Sequence, residues 1–454
     1  MIETASYLAC RCRDGVRGDG GRPAMTLIDL GDAGAAAELA AAPVNLPRLR
    51  RLMLAVLTVV GVVAMTGSAP PMPSLVRPLW ATRFQPSDAV AVDGRTVYLN
   101  RSSPAGPAVV IACDLDTGRL RWSTPTGDAD AIQPVGSVVL VTTGRLPTGS
   151  SSSSPGRRTI ALDAVTGAQL WQSAGVSSPP AMGGEVLLAE TDQSGATTSL
   201  RLVGLRDGHQ VWRRAITPAE EWTTITEDGR PTAVVTVTGT GDATVYGYDN
   251  GAVRHRGRIP WAGVYSAMLF PAGAELVVIR TASAQTVATI YHAADLRPLW
   301  RSDELIGYVT GCGPLICTAG VRGVAARDPA TGRQTWRRDD MNFVWDLGAG
   351  RLLLSAAANL ASASTVLVDA ATGRTIGRPL GGQQAFTAGP AGSLVLLRAT
   401  GTPHDRTAVN RLDLADGRQT ALGTVDRLAE LSCQGTSGYL LCPRGQSLTV
   451  TAVG

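Results

Sequence analysis

Beyond residue 79 the chain alternates short apolar runs with clusters of Gly, Asp, Ser and Thr. Ser137-Val-Val-Leu-Val141, Ala274-Glu-Leu-Val-Val-Ile279 and Arg351-Leu-Leu-Leu354 are representative runs. They are rich in Val and Leu and bounded by turn residues, so they predict β-strands. No apolar periodicity of 3.6 residues runs through this region, which argues against a helical solenoid. Near residue 190, Glu185-Val-Leu-Leu-Ala, Ser199-Leu-Arg-Leu-Val-Gly-Leu and Gln210-Val-Trp212 follow one another. With the segment Ser177-Ser-Pro-Pro-Ala-Met before them, they make a unit of four short strands.

A phrase recurs in phase with these units. It reads Asp116-Thr-Gly118-Arg-Leu-Arg-Trp122, Asp163-Ala-Val-Thr-Gly167-Ala-Gln-Leu-Trp171 and Asp207-Gly208-His-Gln-Val-Trp212. A fourth copy is Asp328-Pro-Ala-Thr-Gly332-Arg-Gln-Thr-Trp336. Eroded copies stand at Asp249-Asn-Gly251, Asp295-Leu-Arg-Pro-Leu-Trp300, Asp369-Ala-Ala-Thr-Gly373 and Asp413-Leu-Ala-Asp-Gly417. Successive Gly slots lie 49, 41, 43, 45, 36, 41 and 44 residues apart. A fixed period of this size marks an array of supersecondary units. Four antiparallel strands per unit describe the blade of a β-propeller. In each turn the Asp can accept amide hydrogen bonds, and the Gly can take a positive φ at little cost. The Trp that follows is a wedge suited to the gap between neighbouring sheets.

The ends of the repeat point to a closed ring. The last unit has Gly438-Tyr-Leu-Leu-Cys442 and Ser447-Leu-Thr-Val-Thr451 but no Trp strand. Leu79-Trp80-Ala-Thr-Arg-Phe84 reads as the missing strand at the front, and pairing the two would remove two open edges. Trp slots fall at Trp80, Trp122, Trp171, Trp212, His255, Trp300, Trp336, Gly377 and Ala421. The expected fold is all-β, a single propeller of eight or nine four-stranded blades.

Ahead of the repeat, residues 52–69 carry no charge and follow Arg48-Leu-Arg50-Arg51. This predicts a transmembrane signal anchor over 48–69 with the N-terminus inside and the propeller on the extracytoplasmic side. A cleaved export leader ending at Gly67-Ser68-Ala69 is the rival reading. No Cys follows the apolar run, which argues against a lipid anchor. Residues 1–47 read as a disordered cytoplasmic tail, with 1–24 upstream of a natural start at Met25 and the isolated Cys10-Arg-Cys12 without a role. Residues 70–78 are a Pro-rich linker, and the propeller is expected over 79–454.

Composition adds little. The apolar share is 44% and the net charge +4; all 41 basic residues are Arg. They are interspersed with Asp, so no nucleic-acid-binding stripe stands out.

The phrase Leu162-Asp-Ala-Val-Thr-Gly-Ala-Gln-Leu-Trp171 resembles the repeat of the pyrroloquinoline-quinone (PQQ)-like propellers, over about residues 80–454. That resemblance implies the fold. It also implies two possible trades, because the family holds both quinoprotein dehydrogenases and cofactor-free scaffolds of the BamB type. The enzymes use a quinone, a calcium or similar cation, a catalytic Asp and often a disulfide between adjacent cysteines. This chain has no adjacent Cys pair, and no calcium-ligand cluster or catalytic Asp can be singled out.

Other chemistry is sparse. Cys312-Gly-Pro-Leu-Ile-Cys317 and the pair Cys433 and Cys442 occupy matching places in two units, and each second Cys ends an apolar strand. This predicts two disulfides stapling first to second strands, and an oxidising compartment. A zinc site would need the two pairs to meet across three units. Cys113 reads as a small buried apolar residue. His209, His255, His292 and His404 have no metal-ligand spacing, and no nucleophile elbow, phosphate loop or dinucleotide fingerprint is present. The expectation is a non-catalytic binding or scaffolding platform, needing no cofactor, for an envelope protein or glycan. The alternatives are a PQQ-dependent oxidoreductase with calcium, and a sensory module for a separate signalling protein.

Overall fold

The computed structural model describes residues 46–66 and 74–454 apart from short loop segments, the longest being 145–155 and 357–363. The N-terminal tail up to residue 45, with Cys10 and Cys12, and the serine run 150–154 lie outside the described residues.

Two units separate, Met1–Pro71 and Met72–Gly454. In the first, Leu46–Thr66 form a helix of 21 residues. Here the anchor expectation is corrected. Among the described residues no helix is long and apolar enough to cross a membrane. The physical reason lies in the helix start. Its first six residues, Leu46–Arg51, carry Arg48, Arg50 and Arg51, which leaves 15 of the 21 uncharged. That run is about 22 Å long at 1.5 Å per residue. A bilayer core needs about 30 Å.

The second unit is a β-propeller. Its described strands form nine sheets in chain order, antiparallel throughout except for one two-residue parallel pair. Blades 1 to 8 span residues 90–125, 129–174, 176–219, 221–258, 266–302, 308–338, 343–381 and 383–426. Blade 9 takes its inner strands from Gln434–Thr436, Tyr439–Arg444 and Ser447–Val453, and its outer strand from Val76–Arg83 at the front of the chain. The register runs from Val76 opposite Val453 to Arg83 opposite Ser447, broken between Pro78 and Trp80. Pro78 has no N–H to give to the ladder, which suits it to a bulge on this outermost strand. The propeller thus starts three residues before the expected 79, inside the stretch read as linker. Blade 8 hands over to blade 9 through Phe386–Thr387, which pairs in parallel with Gln434–Gly435.

First strands of neighbouring blades touch one another, for example in blades 1 and 2 and in blades 4 and 5. They therefore line the axis, and the fourth strands face outward. The second and third strands are buried on both faces, which is why they read as continuous apolar runs. Every residue of Val138–Thr143 is buried, and Leu187, Leu188, Leu200 and Leu202 have no exposed surface. Among the described residues the apolar core divides into nine clusters. Each lies between two successive blades. The cluster of Phe84, Leu99, Leu115, Leu441 and Val450 joins blade 9 to blade 1 and completes the ring. The alternating connections leave the third-to-fourth turns on one face of the ring. The second-to-third loops and the crossovers to the next blade lie on the other.

Candidate functional site

The repeated phrase builds a clasp between blades. Trp80, Trp122, Trp171, Trp212, Trp300 and Trp336 each donate the indole N–H to a backbone carbonyl of the next blade. The acceptors are Leu115, Ala164, Leu205, Tyr248, Pro329 and Ala370, at 2.8–3.1 Å. The ring then lies over the Gly of that next turn. A Cβ on Gly118, Gly167, Gly208, Gly251, Gly332 or Gly373 would stand 2.5–2.7 Å from the facing indole. These glycines also have φ between +62° and +72°. Two independent reasons therefore exclude a side chain there.

The Asp of the phrase shapes the turn. Asp163, Asp328 and Asp369 each accept from the hydroxyl and the amide of the Thr three residues on. Those bonds hold the three carboxyls below the usual range. In blade 1 this role falls to Asp114, which accepts from Thr117 and Arg121, and not to Asp116 as the sequence reading had it. Asp116 instead accepts from Arg95 and from Tyr439 of blade 9, which ties the closing seam.

The eroded copies are compensated locally. In blade 5 the Gly slot is Leu296, at φ 54°, a conformation that costs a non-glycine residue about 1–2 kcal/mol. Blade 4 has His255 where a Trp would stand, and Leu296 turns inward and is 5% exposed, 3.2 Å from where a Cβ on Gly257 would lie. Blade 7 has Gly377 in the Trp slot, so its backbone itself reaches Gly417 of blade 8.

Cys312 is bonded to Cys317 and Cys433 to Cys442, and all four are buried. Each bridge joins the first to the second strand of its blade and adds to the core between blades 6 and 7 or 8 and 9. Cys113 is free and buried, and burial pushes its thiol pKa up. His209 and His292 sit in turns beside Asp207 and Asp295, at 2.7 and 2.9 Å. These are turn caps and not ligand sets.

A different place carries unspent chemistry. On the face opposite the Trp turns, a cavity of about 590 Å³ opens over blades 2, 3 and 4. Arg157 lines it from blade 2, and Thr191, Ser194, Ala196 and Thr197 from the second-to-third loop of blade 3. The crossover into blade 4 supplies Glu220, Glu221 and Trp222. Arg157 is engaged by Asp130 at 2.8 Å. Glu220 accepts from the indole N–H of Trp261 at 3.0 Å. Glu221 begins the first strand of blade 4, opposite Val237, and its pKa is pushed up to about 7 by burial and by the neighbouring Glu220. A perturbed acid in a cleft marks a candidate functional position. The sequence reading missed this site. The available signal was the adjacent pair Glu220-Glu221 at the crossover into the first strand of blade 4.

The enzymatic branch implies a quinone, a cation and a disulfide between adjacent cysteines. Among the described residues no three His, Cys, Asp or Glu side chains come together to hold an ion. The disulfides join residues five and nine apart and not neighbours.

Among known proteins, residues 76–237 match the family model described as outer membrane protein assembly factor BamB. Solved structures are similar at low identity. A eukaryotic initiation factor aligns at TM-score 0.51 and 11% identity, over 77% of this chain and 88% of that one. BamB from Moraxella catarrhalis aligns at 0.40 and 15%, over 83% and 97%. A europium-containing methanol dehydrogenase aligns at 0.42 and 10%, over 84% and 94%. Such identities speak to the fold alone. No curated protein matches the sequence.

Proposed function

We propose that this propeller, whose residues 76–237 match the BamB family model, is a non-catalytic binding or scaffolding platform on the extracytoplasmic side of a membrane. The observation that carries this reading is the cavity over blades 2–4, a concave, polar-rimmed site with an acid tuned near neutrality. Its size falls within the range of small-ligand pockets, roughly 300–1,000 Å³. The Trp and Gly of the repeat are spent on clasping blades together and are not free to bind anything. The description of the matched family, an assembly factor, is consistent with a protein partner.

Two features support export. The bridges Cys312–Cys317 and Cys433–Cys442 suit an oxidising compartment. The helix Leu46–Thr66 carries three arginines, then an uncharged run, then the small residues Gly67-Ser68-Ala69. With a run too short for a span, this pattern favours an export leader over a permanent anchor.

The test is a face-specific crosslink in living cells. A photoreactive residue replacing Gln193, on the exposed blade 3 loop beside the cavity, should capture an envelope partner. The same residue at Arg333, exposed on the opposite face, should not. Equal capture from both faces, or none from Gln193, would sink the platform reading.

A further inference from the structure

We propose that the cavity over blades 2–4 holds an organic cation, a primary ammonium or guanidinium group on a small flexible molecule, with Glu221 as its counter-ion. This rests on the platform reading and names what its site takes.

The charges that face the cavity select its guest. Among the described residues lining the cavity, the charged ones are Arg157, Glu220 and Glu221. Arg157 is committed to Asp130, and both side chains are largely buried, at 9% and 17% exposure. Blade 3 brings only hydroxyls, backbone and small apolar groups to the lining. Glu220 has one partner, the neutral indole N–H of Trp261, and a Cβ on Gly239 would stand 3.2 Å from its Oε2. Among the described residues no hydrogen bond or ion pair reaches the Glu221 side chain, and the charge that acts on it is that of Glu220. Among the described residues the lining therefore holds two carboxylates and no cation free to answer them. A buried carboxylate left this way is costly, and a guest cation would remove the cost.

The guest's class follows from the lining. A metal ion would need three or more ligating side chains, which are not assembled here among the described residues. The space is many times larger than a bare ion needs. Trp222 on the wall offers an aromatic face, which attracts an ammonium or guanidinium group. The hydroxyls of Thr191 and Thr197 can accept from its N–H groups.

The experiment is isothermal titration of the full chain with agmatine and with spermidine, at pH 6 and pH 8. Both probes stay charged across this range. A carboxyl titrating at about 7 is roughly 10% ionised at pH 6 and roughly 90% at pH 8, so affinity should tighten nearly tenfold between them. Glu221→Gln should weaken binding at pH 8 about tenfold or more and remove the pH dependence, with the β-sheet circular-dichroism spectrum unchanged and a melt no lower than wild type. Three results overturn the proposal. One is no heat from either amine at millimolar concentration. Another is equal affinity in wild type and Glu221→Gln. The third is calcium binding tighter than either amine and lost in that variant. A crosslink from Gln193 without amine binding would leave the platform reading standing and remove only the cation. Amine binding without a crosslink would do the reverse.

Discussion

At the scale of single residues, the same side-chain types are spent in two ways, and packing decides which. Trp336 is 9% exposed, bonded to the Ala370 carbonyl and seated on Gly373. Trp336→Ala should cost about 3–5 kcal/mol, read as a lowered denaturation midpoint, through the cavity it leaves. Trp222 lines the open cavity instead, and it stands outside the Trp slots of the repeat. Glu221 gives a pH signature of its own. Its folded-state pKa is raised from 4.5 to about 7, so between those values the folded chain holds a proton that the unfolded chain has lost. Stability should therefore fall as pH rises from about 4.5 to about 7 and change little from this source above that. Glu221→Gln should flatten that slope and melt higher than wild type at pH 8. A variant with the wild-type pH slope would show that Glu221 is not the group responsible. The sequence displays this carboxylate pair plainly, but its meaning depends on burial by loops from three blades, which no local pattern encodes.

At the scale of elements, most of the blade was legible because its rules are local. The Asp-x-x-Thr-Gly turn, the Trp four residues after the Gly and the apolar second and third strands all follow from short-range chemistry. The matching places of Cys312–Cys317 and Cys433–Cys442 were legible for the same reason. Where recurrence was eroded, the reading slipped. Asp116 stood in for Asp114 because both precede Gly118 and only the turn's hydrogen bonds separate them. Spacing alone puts Leu296 in the Gly slot, but its inward turn could not be foreseen, since it depends on His255 in the blade before. The helix Leu46–Thr66 slipped through its boundary, because three arginines expected to flank it lie inside it. Each disulfide closes a short loop, with separations of 5 and 9 residues. By loop entropy each should contribute about 2 kcal/mol. Reduction should shift the denaturation midpoint modestly and leave the β-sheet circular dichroism in place. Collapse of the sheet signal on reduction would mean that the bridges, and not the nine apolar seams, hold blades 6 and 9.

At the scale of the whole molecule, stability and function separate by face. Nine blades are joined by nine apolar seams, and six of those seams are clasped by a Trp on a Gly. The count of nine follows from the nine Trp slots already visible in the chain. The ring is shut by Val76–Arg83 on Ser447–Val453 and by the Asp116 bond to Tyr439. The clasping turns occupy one face, and the cavity lies on the other. The central claim is that binding belongs to the cavity face and owes nothing to the Trp repeat. The most direct test is Ala196→Trp, which places an indole on the cavity wall far from any clasp, with melting temperature and Gln193 crosslink yield measured on the same preparation. The account predicts an unchanged melting temperature and loss of the crosslink; an undiminished crosslink in a fully folded Ala196→Trp protein would contradict it.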